Sequence, residues 1–502
     1  MTHWINLGDL IDRSYDLDRS AVVDLRNAEA PRTWSHREID LLAGGVARHL
    51  SGRGLQRGSH VAILSLNRAE YVAAYFGIMR AGFVAVPVNV KLPRQTIDFI
   101  VEDAKIEFAF VDTAGRALLS NSVPSLDFDE PGPQGFAATI EPAAFDTVPA
   151  SPDEVGQMLY TSGSTGRPKG VPLSHAGQLW ALSIRTKAAS ADERYIIAQP
   201  LFHMNGLFSL KTVFATNASV VILPGFDTLG YIEALSRHEV TALTAVPTMF
   251  ARVVKEDDLV RSLPFRLKRI GLGSAPITVA LIERIQNLFP EATISLGYGT
   301  TEAGPAVFGP HPDGLVPPPL ALGYPIHGSD IKLAGGDDDN QGVLLMRNPA
   351  LMAGYRNLPE TTAKALRDGW YYSGDVMRRD ENGFYYFVGR ADDMFVCSGE
   401  NIYPAEVEKM LERHPLVQQA AVVPLPDEER GQVPVAFVVT KTEPGISVDE
   451  LKKFSLANGP AYQHPRRIEF TSELPWAGTN KIDRRALIER ARTLESNRGW
   501  SR

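Results

Sequence analysis

The feature that most constrains this chain is an alternation. Through its first three quarters, apolar runs of strand length take turns with patterns of helical period. "HVAILSL" (His60–Leu66) leads into "RAEYVAAYFGIMRAG", whose apolar residues recur at helical spacing up to Gly82, and "FVAVPVNV" resumes as a strand. "SVVILP", "YIEALSRHEV" and "TALTAVP" repeat the order, and so do "RLKRIGLGSAP", "TVALIERIQNLF" and "TISLGYG". Strand–helix–strand units in series build parallel sheets, because a parallel partner must be reached by a crossover and a helix is the usual one. The expectation is an α/β fold of helix-covered, mostly parallel sheets.

After about residue 325 the texture changes. "GDDDNQGVLLM" and "RRDENGFYYFVGR" read as hairpins, with Asn382-Gly383 a strong turn signal, and they suggest a β-barrel-like subdomain. From Arg390 onward a compact α+β pattern follows. The boundary is expected near Gly389–Asp392, dividing the chain into residues 1–390 and 391–502.

Composition narrows the function classes. With 51 basic and 59 acidic residues the net charge is −8, which argues against a nucleic-acid partner. The single cysteine, Cys397, allows no internal disulfide and fits a reducing cytoplasm. The sequence shows no leader pattern and no apolar run of about 18 residues, so no membrane span is expected. It does not set the oligomeric state, and a homodimer stays open.

One stretch asks a chemical question. "YTSGSTGRPKG" (Tyr160–Gly170) gathers glycines, hydroxyls and one lysine between two strand-like runs. A Walker loop needs G-x-x-x-x-G-K-[ST] opening a helix, and this spacing fails it. Glycines still let backbone N–H groups converge on an anion, and the hydroxyls and Lys169 add donors. Composition alone leaves two readings standing, a surface hairpin and a phosphate grip.

The order of motifs along the chain separates them. "YTSGSTGRPKG", "GYGTTEAGP" (297–305), "YYSGD" (371–375), "GRADDMFVCSGENIYPAEVE" (389–408) and "TNKIDRR" (479–485) together resemble the ordered signatures of the AMP-forming acyl-CoA synthetases, over nearly the whole chain. That resemblance implies a large N-terminal domain, a small mobile C-terminal domain, and two-step chemistry. A carboxylate attacks the α-phosphorus of ATP, and the thiol of coenzyme A then displaces AMP. By the same resemblance Thr161, Ser162, Gly163, Ser164, Thr165, Gly166 and Lys169 hold the outer phosphates. Gly273, Ser274, Ala275 and Pro276 line the adenine and acyl sites. Tyr298, beside Gly299 and Thr300, stacks on adenine, and Thr301 donates to the α-phosphate. Glu302 holds Mg²⁺, Asp375 takes the ribose hydroxyls, and Arg390 is a second ribose or phosphate contact.

The same likeness makes Asp392 the hinge and Lys481 the C-terminal catalytic lysine, with Lys169, Thr301 and Glu302 as its catalytic companions. Two departures stand out: Asn480 precedes Lys481 where Gly is common, and Gln463 replaces a lysine in "AYQHPRR". Gly399 is expected beside the pantetheine tunnel, with Arg466 and Arg467 the candidates for coenzyme A's phosphates. "PLFHMNGLFSL" (200–210) aligns with the acyl wall, so His203, Met204, Asn205, Phe208, Gly297, Ala303 and Pro305 are expected to line it. No Asp lies between Pro200 and Lys211, which disfavours an amino acid. The expected substrate is an aromatic or arylpropenoate acid. A medium-chain fatty acid, or delivery to a carrier-protein thiol, are the alternatives.

Overall fold

The structure is a computed structural model describing residues 4–161, 167–275, 277–336, 339–398, 400–427, 430–441, 445–477, 481–497 and 500. In chain order the strands begin with β1 (Ser20–Asp24), β2 (Arg32–Ser35), β3 (His60–Leu64), β4 (Val84–Pro87), β5 (Ile106–Val111) and β6 (Ser125–Asp127). They continue with β7 (Val155–Thr161), β8 (Lys169–Ser174), β9 (Arg194–Ile197), β10 (Ser219–Ile222), β11 (Ala242–Ala245), β12 (Arg269–Gly273) and β13 (Thr293–Gly297). β3–β8 form a six-stranded sheet in the order β6-β5-β3-β4-β7-β8, and the rest a seven-stranded sheet in the order β13-β12-β11-β9-β10-β1-β2. Most neighbours are parallel, as the alternation requires; the β7–β8 and β1–β2 pairs are antiparallel.

The helix Ala69–Arg80 lies in the main apolar core and is buried along almost its whole length, which explains why its sequence is apolar all round rather than on one stripe. One face of the seven-stranded sheet packs into that core. The other, with Ile196, Leu243, Ile270 and Leu272, packs into a second.

β14 (Phe308–Gly309) and β15 (Tyr324–Pro325) pair as a short ribbon. β16 (Asp330–Ala334), β17 (Gln341–Arg347), β18 (Leu366–Arg367), β19 (Trp370–Arg379) and β20 (Tyr385–Arg390) make an antiparallel sheet. Gly383, at φ 82°, turns the β19–β20 hairpin where Asn-Gly is read in the sequence.

The last sheet holds β21 (Phe395–Cys397), β22 (Glu400–Ile402), β23 (Val417–Asp427), β24 (Gly431–Thr440) and β25 (Arg467–Phe470) around a separate apolar cluster. Cys397 is wholly buried in that cluster. A two-stranded ribbon of β26 (Trp476–Ala477) and β27 (Lys481–Ile482) precedes the final helix, Arg484–Ser496. Lys409 Nζ, on the helix Pro404–Glu412, donates to the Phe387 carbonyl of β20 at 2.8 Å and so ties this unit to the preceding sheet. No helix among the described residues is long and apolar enough to cross a membrane.

Candidate active site

The site grows from the carboxyl ends of β12 and β13, which pair in parallel up to Gly273 opposite Gly297. Loops beyond the carboxyl ends of parallel strands are where open α/β sheets bind ligands. The loop after β12 carries Ser274, held at φ 67°, and Ala275. The loop after β13 carries Tyr298 through Glu302. Thr300 bridges to Gly304, and Thr300 Oγ1 accepts the Ala303 N–H at 3.0 Å, forming a tight turn that presents Thr301 and Glu302. Gly299 touches this turn so closely that a Cβ would fall 2.6 Å from the Pro305 carbonyl carbon.

Two polar chains converge here. In the first, Tyr298 donates its phenol to Asp375 Oδ2 at 2.5 Å, and Arg390 Nη1 donates to Asp375 Oδ1 at 2.9 Å. Arg390 divides its charge, since Nη2 also pairs with Asp392 Oδ2 at 3.0 Å. Burial pulls this guanidinium down, but Asp375 and Asp392 together hold it above its usual value. Burial, then the charge of Asp375, raises the Tyr298 phenol, which therefore stays a donor. Gly374 sits at φ 72°, and a Cβ there would lie 2.9 Å from Arg390 Nη2, so glycine leaves room for the cation.

In the second chain Tyr355 donates to Glu302 Oε1 at 2.9 Å and accepts from Lys169 Nζ at 3.3 Å. Lys169 also lies over the Tyr355 ring, 4.4 Å from its centroid.

The glycine-rich loop joins the antiparallel pair β7–β8, closed by Thr161 opposite Lys169. Both roots are pinned. Tyr160 donates its hydroxyl to Asp103 Oδ2 at 2.6 Å, and Arg356 Nε donates to the Asp103 carbonyl at 2.6 Å. Among the described residues Thr161 Oγ1 is buried without a hydrogen-bond partner, an orphan hydroxyl at the mouth of the loop. Ser162, Gly163, Ser164, Thr165 and Gly166 lie outside the described residues, as does Pro276.

Below Gly273 and Gly297 the sheet face is almost bare. Thr244, Gly271 and Ser295 stand in register on β11, β12 and β13. A Cβ on Gly271 would find as its nearest neighbours Thr244 Cγ2 at 3.4 Å, the Leu243 carbonyl oxygen at 3.6 Å and Ser295 Oγ at 3.8 Å. Ser295 and Gly297 are exposed. The result is a trough with a small-residue floor.

One wall of the trough is polar. Thr244 Oγ1 donates to Asn205 Oδ1 at 2.8 Å and bonds Ser209 Oγ at 2.9 Å, both residues of the helix Met204–Ala215. The far end holds Arg269, tied to the Ala188 carbonyl, Glu193 and the Tyr195 hydroxyl. Gly273 lies four positions beyond Arg269 along β12, or roughly 13 Å.

Of the expected acyl-wall residues, Asn205 and Gly297 flank this trough. Met204, Phe208 and Ala303 lie in the main core, and His203 caps the helix with its ring against Phe202, centroids 4.5 Å apart.

In the C-terminal unit Gln463 is committed to Glu406 at 3.1 Å, and Arg467 pairs with Glu495. Arg466 keeps a buried Nε with no partner. The backbone of Lys481 pairs with Ala477, whereas its side chain, Asn480 and Gly399 fall outside the described residues.

A family model for the AMP-binding enzyme matches residues 13–356, and one for the AMP-binding enzyme C-terminal domain matches residues 406–481. The chain belongs to the AMP-binding enzyme family. A curated relative, feruloyl-CoA synthase of Amycolatopsis sp, is 33% identical over 468 residues, covering 89% of this chain and 92% of that protein. The solved anthranilate CoA ligase AuaEII, in complex with anthranoyl-AMP, superposes with a TM-score of 0.90 at 25% identity, covering 99% of both chains. O-succinylbenzoate coenzyme A synthetase (MenE) from Bacillus subtilis, in complex with ATP and magnesium ion, gives 0.78 at 27% identity, covering 94% of this chain and 96% of that one.

The motifs are recognisable in the sequence one by one, but their supports are not. Asp103, Arg356 and Tyr355 carry no motif in this sequence. The trough could have been read, in hindsight, from Gly271, Gly273, Ser295 and Gly297 alternating along two adjacent strands.

Proposed function

We propose that the protein is an ATP-dependent carboxylic acid–coenzyme A ligase that works through an acyl-adenylate, on an aromatic or arylpropenoate acid. The observation that carries the substrate class is the trough. Its small-residue floor at Gly271 suits a flat ring, its polar wall at Asn205, Thr244 and Ser209 a ring substituent, and its end at Arg269 disfavours a long alkyl chain. The names of the aryl-acid ligases among its relatives support the same reading.

In the first step a carboxylate oxygen bonds to the α-phosphorus, the α–β bridge breaks, and pyrophosphate leaves. Negative charge gathers on the phosphate oxygens, so fixed donors are what accelerate the step. Lys169 and the orphan hydroxyl of Thr161 face the outer phosphates, Thr301 the α-phosphate, and Asp375 with Arg390 the ribose. Lys481 serves as the C-terminal cation. In the second step the thiol attacks the acyl carbon and AMP leaves, with Arg466 the candidate grip on coenzyme A.

Glu302 suits magnesium. It is nearly buried, and among the described residues no cluster of three or more His, Cys, Asp or Glu would cage a metal. That matches a cation held by one carboxylate and the nucleotide's own oxygens. When bound, the ion neutralises phosphate charge. A buried lone thiol suits a cytoplasmic setting.

The test is AMP release across an acid panel with coenzyme A present, paired with acid-dependent exchange of labelled pyrophosphate into ATP. Ring-bearing acids should lead both series. A panel led by medium-chain fatty acids would favour the aliphatic alternative. Exchange without coenzyme A-dependent AMP release would point to a carrier-protein thiol.

A further inference from the structure

The segment Met352–Arg356 runs between the two halves of the phosphate site and is bonded to both. The Met352 N–H donates to the Glu302 carbonyl at 2.7 Å, and the Arg356 N–H donates to the Gly170 carbonyl at 2.9 Å. Tyr355 stands between these bonds. Its own N–H is held by Thr362 Oγ1 at 2.9 Å.

A phenol has one proton and a lone pair that can accept. Here the proton goes to Glu302 and the lone pair faces Lys169, with the ammonium also resting over the ring. An ammonium and a nearly buried carboxylate this close would otherwise attract each other directly, and each would spend its charge on the other. With the phenol oxygen between them, both keep charge to offer a ligand.

We infer that Tyr355 is a positioning residue for the triphosphate. It holds Glu302 and Lys169 apart and aimed, so that ATP meets a set site instead of a collapsed ion pair. This rests on reading the site as an ATP site. It concerns the outer phosphates only, so AMP, which lacks them, should not feel it.

The experiment is calorimetric titration of the full chain with ATP and, separately, with AMP, each with and without magnesium. Tyr355→Phe keeps the ring under Lys169 and removes one hydroxyl. It should weaken ATP binding about tenfold or more, the scale of a hydrogen bond to a charged group, and leave AMP binding unchanged. In half-reactions it should raise the KM for ATP while sparing thioester formation from supplied acyl-adenylate.

Because Tyr355 acts partly through Lys169, adding Tyr355→Phe to Lys169→Ala should cost much less than it does alone. Equal losses for ATP and AMP, no loss for ATP, or full additivity with Lys169→Ala would each overturn the inference. Should Tyr355→Phe not fold, Thr362→Val, which removes the hydroxyl holding the Tyr355 N–H, carries the same comparison with a smaller, ATP-only loss expected. Wild-type protein binding neither nucleotide would overturn the ATP reading itself, and is told apart because no variant then has binding to lose.

Discussion

Lys211 is a fully buried lysine on the helix Met204–Ala215, and its ammonium donates to Gln178 Oε1 at 2.9 Å. Gln178 in turn accepts from Gln157, so the lysine ends a buried amide chain rather than an ion pair. Burial brings its pKa down to about 7. The sign of the consequence is fixed. An unfolded lysine keeps its proton to 10.5, so between about 7 and that value the unfolded chain binds the extra proton and stability rises with pH. Below about 7 both states are charged and the full desolvation cost is felt. Lys211→Met should therefore melt above wild type near about pH 6, with the gap narrowing toward about pH 10, as read by thermal unfolding across pH. A gap that did not change with pH would show that lysine titration is not its source. In the sequence Lys211 only marks the end of the stretch without an Asp, because desolvation is a property of the packed neighbours, not of the motif.

At the scale of elements, β12 and β13 carry the specificity argument. Their buried face, with Ile270 and Leu272, does the packing, while the opposite face is kept small at Gly271, Ser295 and Gly297. Gly271→Leu should be tolerated by the fold, since its Cβ would meet its nearest neighbours, Thr244 Cγ2, the Leu243 carbonyl oxygen and Ser295 Oγ, at ordinary contact distances of 3.4 to 3.8 Å. It should lower kcat/KM for ring-bearing acids roughly 10- to 100-fold, from about 1–3 kcal/mol of overlap. Short acids should be affected less, and an acid panel reads both.

Within β19, at the register shift opposite Val343 and Leu345, Gly374→Ala would force a Cβ against Arg390 at a positive φ. It should cost about 1–2 kcal/mol in stability and raise the KM for ATP together. The strand–helix alternation, the Asn382-Gly383 hairpin and the glycine-rich loop were all legible in the sequence, because each rests on local periodicity or on turn chemistry. The clamp of Tyr160 and Arg356 on Asp103 was not, because it joins residues more than 50 and 250 positions apart. Nor was the burial of Met204 and Phe208, since an alignment with the acyl wall does not say which side of a helix faces the core.

Across the whole molecule, the two-step reading asks the unit beyond Arg390 to serve two steps from one chain. Arg390 bonds both Asp375 and Asp392, so the proposed ribose ligand and the proposed hinge share one cation. Lys481→Ala should abolish pyrophosphate exchange yet largely spare thioester formation from supplied acyl-adenylate, because the proposed scheme gives the lysine a part in the first step alone. Equal loss in both half-reactions would contradict a division of labour between two domain arrangements.

The isolation of Cys397 has a practical consequence. The chain's lone thiol sits inside the apolar cluster of the C-terminal unit, so a thiol reagent should find almost nothing to modify until that unit opens. Its modification rate then reports local unfolding of that unit alone. Two cysteines added at exposed positions on either side of Asp392 could carry a donor and an acceptor dye against a silent background. A swing of the unit about the proposed hinge would then read as a change in energy transfer while each substrate is added.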